Sequence, residues 1–466
     1  MDDNTVESQL LQLINKKQFL LEQQRDVLFD VLSRPEHQRH LNCCGDFRAR
    51  VYTPLKTLHT YIHQVLSSDK SCRNAVSGVN VVRFLSEQSR VSSNTGSYVK
   101  AKKRLWEESI YGLVKSMGDS LSRKVPPRGT AYGRQVKVFD GTTLRLRDTK
   151  ANNEHYPKHS NKKLEVGSPA VRLLTVFSLM TGSVVDYALE ATKGKGTGEI
   201  SLLRSRLDCF EEGDIALGDA LFCNFFLVHD LMKKKVDVLV PGHAQRLYAF
   251  NEGTVLGEKD HITQWTKPRR PQWMSKEAYS QYSKTISIRE FQINGIVYMT
   301  TLTNASMYPK EELRLLYKRR WEAELHLRSM KTHMGMDKLT SETPDMARKE
   351  IGVHLLAYNF IRELMSDGCI QEDTLPTQIS FKGTVQLFMQ FNPYFISIEK
   401  DKKEDLYSFM RLLMASNKVG LRPGRVEPRA IRQKYNSFPP LKNSRKLEIE
   451  KLLTKRKEWV VNNDAA

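Results

Sequence analysis

The stretch YKRRWEAELHLRSMK, Tyr317 to Lys331, decides how the rest of this chain is read. Wound as one helix at roughly 100° per residue, it sets Tyr317, Arg320, Glu324 and Lys331 at about 0°, 300°, 340° and 320°, a single narrow stripe. One carboxylate is flanked there by two cations and a phenol. Beside it runs an apolar line, Leu316, Ala323, Leu327, Met330 and Met334, spaced as in a helix packed on a core. Gly335 follows as a C-cap. Charges at this spacing also suit ordinary i,i+4 pairs on a solvated helix, so the stripe alone leaves two readings open.

On its amino-terminal side the text reads as strands. Gln135 to Phe139 alternates and closes on Asp140-Gly141, predicting a strand whose end meets a turn. Val171 to Leu179 and Val184 to Ala188 predict a hairpin. Glu199 to Cys209 follows as a short helix, Ile215 to Leu217 as a buried strand ending at Gly218-Asp219, Cys223 to Lys235 as a helix, and Val236 to Val240 as a strand. This order predicts a mixed sheet covered by helices. Asp140 and Asp219 then stand at strand ends and Glu324 on a helix. Carboxylates on rigid elements are the hard oxygen ligands that Mg²⁺ or Mn²⁺ take, and phosphoryl transfer uses two such ions about 3.5–4 Å apart. Each aspartate also reads as a turn residue. Asp214 rivals Asp219 but precedes its strand; Asp148 and Asp186 read as loop and strand residues.

Residues 1–122 read as helical, with Ser97 expected to cap a helix through Lys115. Its first turns mix Lys100, Lys102 and Arg104 with Tyr98 and Trp106, a pattern that suits either a nucleic-acid surface or a solvated helix with core aromatics. RKVPPRGTAYGR, Arg123 to Arg134, reads as a linker. Gly242 to Thr303 is strand-rich and includes the basic, aromatic loop TKPRRPQW, Thr266 to Trp273. Thr343-Pro344-Asp345 starts a second helix, with Thr as N-cap and Pro at the first helical position, running to Asp367. The tail from Leu421 to Val460 holds twelve Lys or Arg against four Glu and reads as flexible.

The 466 residues carry 73 Lys and Arg against 53 Asp and Glu, a net charge of +20 that points to a polyanionic partner, nucleic acid first. No apolar run reaches the 18 or so residues of a membrane span, and the acidic start MDDNTVESQL has no secretory pattern, so no membrane partner is expected. Six cysteines show no CxxC pair and no spacing with histidine that suits zinc, which fits the reducing cytoplasm. GKGTGE at Gly194 lacks the GK[ST] ending of a phosphate loop. His326 and His333, seven apart, read as solvated or structural.

The spacing of Tyr317, Arg320, Glu324 and Lys331 resembles the YREK signature of DDE transposases of the insertion-sequence-4 type. Further collinear segments are similar to that family: CRNAVSGVNVVRFL from Cys72, SNTGSYVKAKKRL from Ser93, VFDGTTL from Val138, KGTGE from Lys195, GDIALGD from Gly213, EIGVHLLAYNFIR from Glu350, ISFKGT from Ile379 and RVEPRAIR from Arg425. The resemblance implies an α/β protein with a ribonuclease-H-like mixed-sheet catalytic core, residues 134–243 and 304–370. A β-rich insertion at 244–303 would split it, with a helical DNA-binding region at 1–122, a linker at 123–133, and a helical, basic region at 371–466. It implies that Asp140, Asp219 and Glu324 hold two Mg²⁺ or Mn²⁺ ions. Arg320, Lys331 and Tyr317 would hold phosphates and a flipped nucleotide at a transposon end, helped by an aromatic, with Tyr298 nearest in spacing and Trp265 and Trp273 as alternatives. Where many relatives have Arg after the second aspartate, this chain has Ala220. The implied function is cut-and-paste transposition by a homodimer on double-stranded DNA, through cleavage, hairpin formation and strand transfer, in a bacterial cytoplasm at the nucleoid. A metal-dependent nuclease without strand transfer and a transposase-derived DNA-binding protein are the alternatives.

Overall fold

The computed structural model describes residues 25–42, 51–124, 130–158, 167–243, 245–369, 374–420 and 443–463. Residues 1–24 of the region expected to be helical, linker residues 125–129 and tail residues 421–442 lie outside the described residues. Among the described residues, six helices come first: α1 (Val27–Leu32), α2 (Pro35–Leu41), α3 (Pro54–Leu66), α4 (Cys72–Leu85), α5 (Gly96–Arg104) and α6 (Glu107–Arg123). Their starts are local chemistry. The Thr53 hydroxyl accepts from Lys56 N with Pro54 at the first position, and the Ser71 hydroxyl accepts from Asn74 N. The single helix expected from Ser97 to Lys115 is two, broken at Leu105-Trp106. Thr95 is the N-cap of α5, while Leu105 turns extended to bury its side chain in the core.

One nine-stranded sheet organises the rest: β1 (Val136–Arg145), β2 (Ala170–Ser178), β3 (Val184–Ala191), β4 (Ile215–Leu217), β5 (Asp237–Pro241), β6 (Thr254–Gly257), β7 (Asp260–Thr266), β8 (Thr285–Ile293) and β9 (Ile296–Thr300). Across the sheet the order is 3-2-1-4-5-9-8-7-6. β1, β2 and β3 pair antiparallel, and β4 and β5 run parallel to β1. Five strands in the order 3-2-1-4-5 with these directions are the ribonuclease-H-like arrangement. The strands of the 244–303 block do not form a separate sheet: β9 pairs antiparallel with β5, and β8, β7 and β6 follow outward.

Helices cover both faces. α7 (Lys150–His155) lies between β1 and β2, α8 (Glu199–Arg204) between β3 and β4, α9 (Phe225–Lys233) between β4 and β5, and α10 (Lys276–Ser280) between β7 and β8. After the sheet come α11 (Lys310–Lys318), α12 (Trp321–Arg328), α13 (Pro344–Gly368), α14 (Phe381–Ser397), α15 (Lys403–Ser416) and α16 (Arg445–Asn463), so the last part of the tail, expected to be flexible, is helical. α13 begins as the sequence predicts: the Thr343 hydroxyl accepts from Met346 N ahead of Pro344. Nearly the whole of α13 is buried against α6 and β3. At that seam Asn359, fully buried, accepts from Val184 N at 2.8 Å and donates to Val114 O at 3.0 Å and Val184 O at 2.8 Å. Leaving such buried backbone groups unpaired would cost about 1–3 kcal/mol each. Gly118 of α6 sits so close to Val184 O that any Cβ there would collide with it. The amino-terminal helices thus pack into the same core as the sheet.

Candidate active site

The helix expected across Tyr317–Lys331 is distorted twice. At Arg319-Arg320 the winding tightens, with Arg320 N bonding Tyr317 O at 2.9 Å, Glu322 N bonding Arg319 O at 2.8 Å and Ala323 N bonding Arg320 O at 3.0 Å. At Ser329–His333 it widens into a π-helical turn. Gly335 closes it with φ +64°, the left-handed conformation expected of a C-cap. The loop beyond is held by Glu350 of α13, whose buried carboxylate accepts from Thr340 N, the Thr340 hydroxyl and Ser341 N at 2.9–3.1 Å. Lys70 reaches over to the Met334 carbonyl.

The strand expected to stop at Asp140-Gly141 instead runs on to Arg145, with Asp140 opposite Thr175 and Gly141 opposite Leu174 of β2. Asp-Gly is a turn signal locally, but the long β2 partner carries the strand through it. Glycine is needed at 141 for another reason: a Cβ there would run into the carboxylate of Glu199, the first residue of α8. On the other side, β1 and β4 pair in parallel with Val138 opposite Leu217. Two residues further along each chain are Asp140, still within β1, and Asp219, just past the end of β4, so the two aspartates follow side by side from a paired register. Asp140 Oδ1 accepts from Gly141 N at 2.9 Å, and Asp219 Oδ1 from Leu221 N at 2.8 Å.

Glu324 faces them from α12. Arg320 Nη2 bonds Glu324 Oε1 at 2.7 Å, and Lys331 Nζ bonds the Thr142 hydroxyl, two residues beyond Asp140, at 2.6 Å. The stripe read from the sequence therefore survives both distortions and lies against β1. Burial pushes the Asp140 carboxyl up to about 6; Arg320 and the Gly141 N–H oppose this, while Glu324 and Asp219 add to it. Burial works against the charge of Arg320, yet its bond to Glu324 and the proximity of Tyr317 and Asp140 hold its pKa above the ordinary value. Burial raises the Tyr317 phenol, opposed by Arg320 and reinforced by Asp219. Burial lowers the Lys331 ammonium. Glu324 and Asp219 thus both add to the proton affinity of Asp140, and a divalent cation, which takes hard carboxylate oxygens, would relieve that repulsion.

The rivals are otherwise engaged. Asp214 is buried and paired with Lys137 Nζ at 2.6 Å. Asp148 pairs with Lys158 at 3.0 Å, and Asp186 accepts from the Tyr111 hydroxyl at 2.8 Å. Glu199 was missed as a neighbour of the site, although KGTGE carried it: its carboxyl is raised by burial and by Asp219, with Arg172 opposing. Beside it lies a groove of about 710 Å³ lined by Arg172, Glu199, Arg204, Leu221, Asn224 and Trp273.

Among the aromatics, Tyr298 and Trp265 do not suit a base. Tyr298 is buried between Phe291 and Tyr317, with centroids at 5.2 and 5.3 Å. Trp265 is buried under Arg246 and donates its Nε1–H to Glu290. Trp273 is 65% exposed, with Arg204 over its ring. Lys102 is also a correction. It is buried at 7% exposure over the Tyr61 and Tyr98 rings, which come from other turns of the helical region, so it is a core cation and not part of a DNA surface; Lys100 and Arg104 are exposed. His326 is buried and accepts from Arg362 at 2.8 Å, a structural role.

Residues 131–360 match the family model described as the transposase DDE domain. The chain is 22% identical over 351 residues to the transposase InsG for insertion sequence element IS4 of Escherichia coli (strain K12), covering 73% of this chain and 77% of that protein. A solved structure of the piggyBac transposase synaptic complex with hairpin DNA aligns over 86% of each chain at 9% identity and a TM-score of 0.42.

Proposed function

Since this chain belongs to the DDE transposases of the insertion-sequence-4 type, we propose that it performs cut-and-paste transposition of its own element, with Asp140, Asp219 and Glu324 as the ligands of two Mg²⁺ or Mn²⁺ ions. The observation that carries the residue assignment is the register of β1 and β4. It makes the two aspartates neighbours, and Glu324 and Asp219 both act on the Asp140 carboxyl. Bound there, the ions would activate the attacking hydroxyl and stabilise the leaving oxygen.

The protein's own groups have the remaining tasks. Arg320 offers a fork of donors to a phosphate beside the scissile bond, but must exchange part of its pairing with Glu324 to do so. Lys331, held by Thr142, supplies a point charge on the same stripe. Tyr317 stays protonated and can donate its O–H to a phosphate oxygen. Trp273, exposed at the rim of the Glu199 groove, is the aromatic on which an unstacked base would rest. Lys100 and Arg104 would add phosphate contacts from the helical region of residues 1–122, read as the DNA-binding region. The core would be 134–243 and 304–370, with 244–303 as the insertion. Two ends must be paired for excision, so a homodimer at the bacterial nucleoid is the working assembly. Among the described residues, no helix is long and apolar enough to cross a membrane.

The test is incubation of wild type and Glu324→Ala with labelled DNA carrying the element's end, in Mg²⁺ or Mn²⁺, resolved on denaturing gels. Nicks, hairpins and joined products from wild type, absent from a folded, DNA-binding Glu324→Ala, are expected. Nicks without hairpins or joined products would make it a nuclease. Binding without any product would leave a DNA-binding protein.

A further inference from the structure

Away from the catalytic groove, one cluster brings three metal-ligand atoms together. His59 and His63 of α3 are four residues apart and so share one face of that helix. Their ring centroids are 4.5 Å apart. Both turn Nε2 to the same carboxylate: His59 Nε2 lies 2.9 Å from each oxygen of Asp26, and His63 Nε2 lies 2.9 Å from Asp26 Oδ2. The three ligand atoms fall within 4.8 Å of one another. Asp26 is the N-cap of α1, where Oδ1 also accepts from Phe29 N at 2.7 Å, and its side chain is 1% exposed. Phe29 packs on His59 and Phe388 stacks on His63, while the two imidazoles keep 19% and 20% of their side-chain surface open.

We propose that Asp26, His59 and His63 form a second metal site, for a divalent transition ion of the Zn²⁺ class, independent of the transposase reading and of the catalytic carboxylates. Two imidazole nitrogens at i,i+4 and one carboxylate are borderline donors that favour Zn²⁺ over Mg²⁺, whereas the all-oxygen catalytic set favours the reverse. In a tetrahedral site with bonds of about 2.0–2.1 Å, neighbouring donors stand about 3.3 Å apart. The two histidine–carboxylate contacts of 2.9 Å therefore have to open by about 0.4 Å. Coordination uses the Nε2 lone pair, so each neutral ring moves its proton from Nε2 to Nδ1, and a protonated ring releases one proton to water. The open edge of the rings leaves the fourth position to water. The ion would clamp the start of α1 to α3, which packs in turn on α13.

The full-length chain bearing Asp140→Asn and Asp219→Asn, which weaken the catalytic ligand set, is stripped with chelator and titrated with Zn²⁺ by calorimetry. It is also titrated with Co²⁺, read by the visible absorption of four-coordinate cobalt. One ion per chain is expected, undisturbed by a hundredfold excess of Mg²⁺ and weakened at least tenfold by His59→Gln or His63→Gln. Glutamine can still donate to Asp26, so the helices should stay joined; Asp26→Asn, which keeps the N-cap, is the check if either variant fails to fold. No bound ion, or an ion whose affinity is unchanged in all three variants, would overturn the site and leave a hydrogen-bonded structural triad.

Discussion

Asp140→Asn should stabilise the ion-free protein while removing its chemistry. The Asp140 carboxyl titrates at about 6 in the fold against an ordinary 3.8, roughly 2 units, or about 3 kcal/mol at 1.36 kcal/mol per unit. The group is only partly buried, so solvent screening reduces this to roughly 1–2 kcal/mol. The folded value lies above the unfolded one, so the native state holds the proton more tightly and stability falls as pH rises across the interval. The penalty is absent below the unfolded value of 3.8, grows as pH rises, and is constant above about 6. Urea melts of wild type and Asp140→Asn in chelator, at pH 8 and at pH 4, read the difference directly. The variant should be more stable by about 1–2 kcal/mol at pH 8 and about equal at pH 4. Added Mg²⁺ should recover the deficit only in wild type, by about 1.4 kcal/mol at ten times its dissociation constant. Equal stability at pH 8, or the same gap at both pH values, would refute the claim that the buried charge of Asp140 is the source.

Glu199→Gln removes a negative charge beside Asp140 and Asp219. The Mg²⁺ concentration for half-maximal cleavage should rise about three- to tenfold with DNA affinity unchanged, and an unchanged Mg²⁺ requirement would show that Glu199 is only structural. Glu350→Ala strands the donors of Thr340 and Ser341 inside the protein; denaturant melts should show a loss of roughly 3 kcal/mol, and less than 1 would mean that the loop re-forms around water. Trp273→Ala should weaken binding of a transposon end containing an unstacked base by about 1–3 kcal/mol, roughly five- to 150-fold, without affecting fully paired duplex, as read by fluorescence of a base analogue. An equal loss on both DNAs would assign Trp273 to backbone contact.

What was legible in the sequence was what neighbours along the chain decide. Thr343-Pro344 announces its helix because cap and proline act within one turn, and Asp219 could be preferred to Asp214 because one follows the strand and the other precedes it. What escaped depends on partners far away in sequence. Asp140-Gly141 looks like a turn until β2 is laid alongside and the Glu199 carboxylate occupies the place of a Cβ. Lys102 looks like a surface cation until Tyr61, from another helix, closes over it. Tyr298, the nearest in spacing, is clamped in the sheet, while Trp273 stands exposed at a groove with Arg204 over its ring. HTYIH from His59 was itself visible as a four-residue histidine spacing, but its carboxylate comes from Asp26, 33 residues earlier.

The strand-rich block between β5 and α11 continues the catalytic sheet edge to edge, through the pairs Leu239 with Thr300, Val240 with Met299 and Pro241 with Tyr298. The groove between Trp273 on that lobe and Glu199 on the core is thus a jaw whose two sides are joined through one sheet. If, as proposed, a DNA end rests against Trp273 there, much of the adjustment would fall to the DNA, and sequences whose ends fray or kink cheaply would enter most readily.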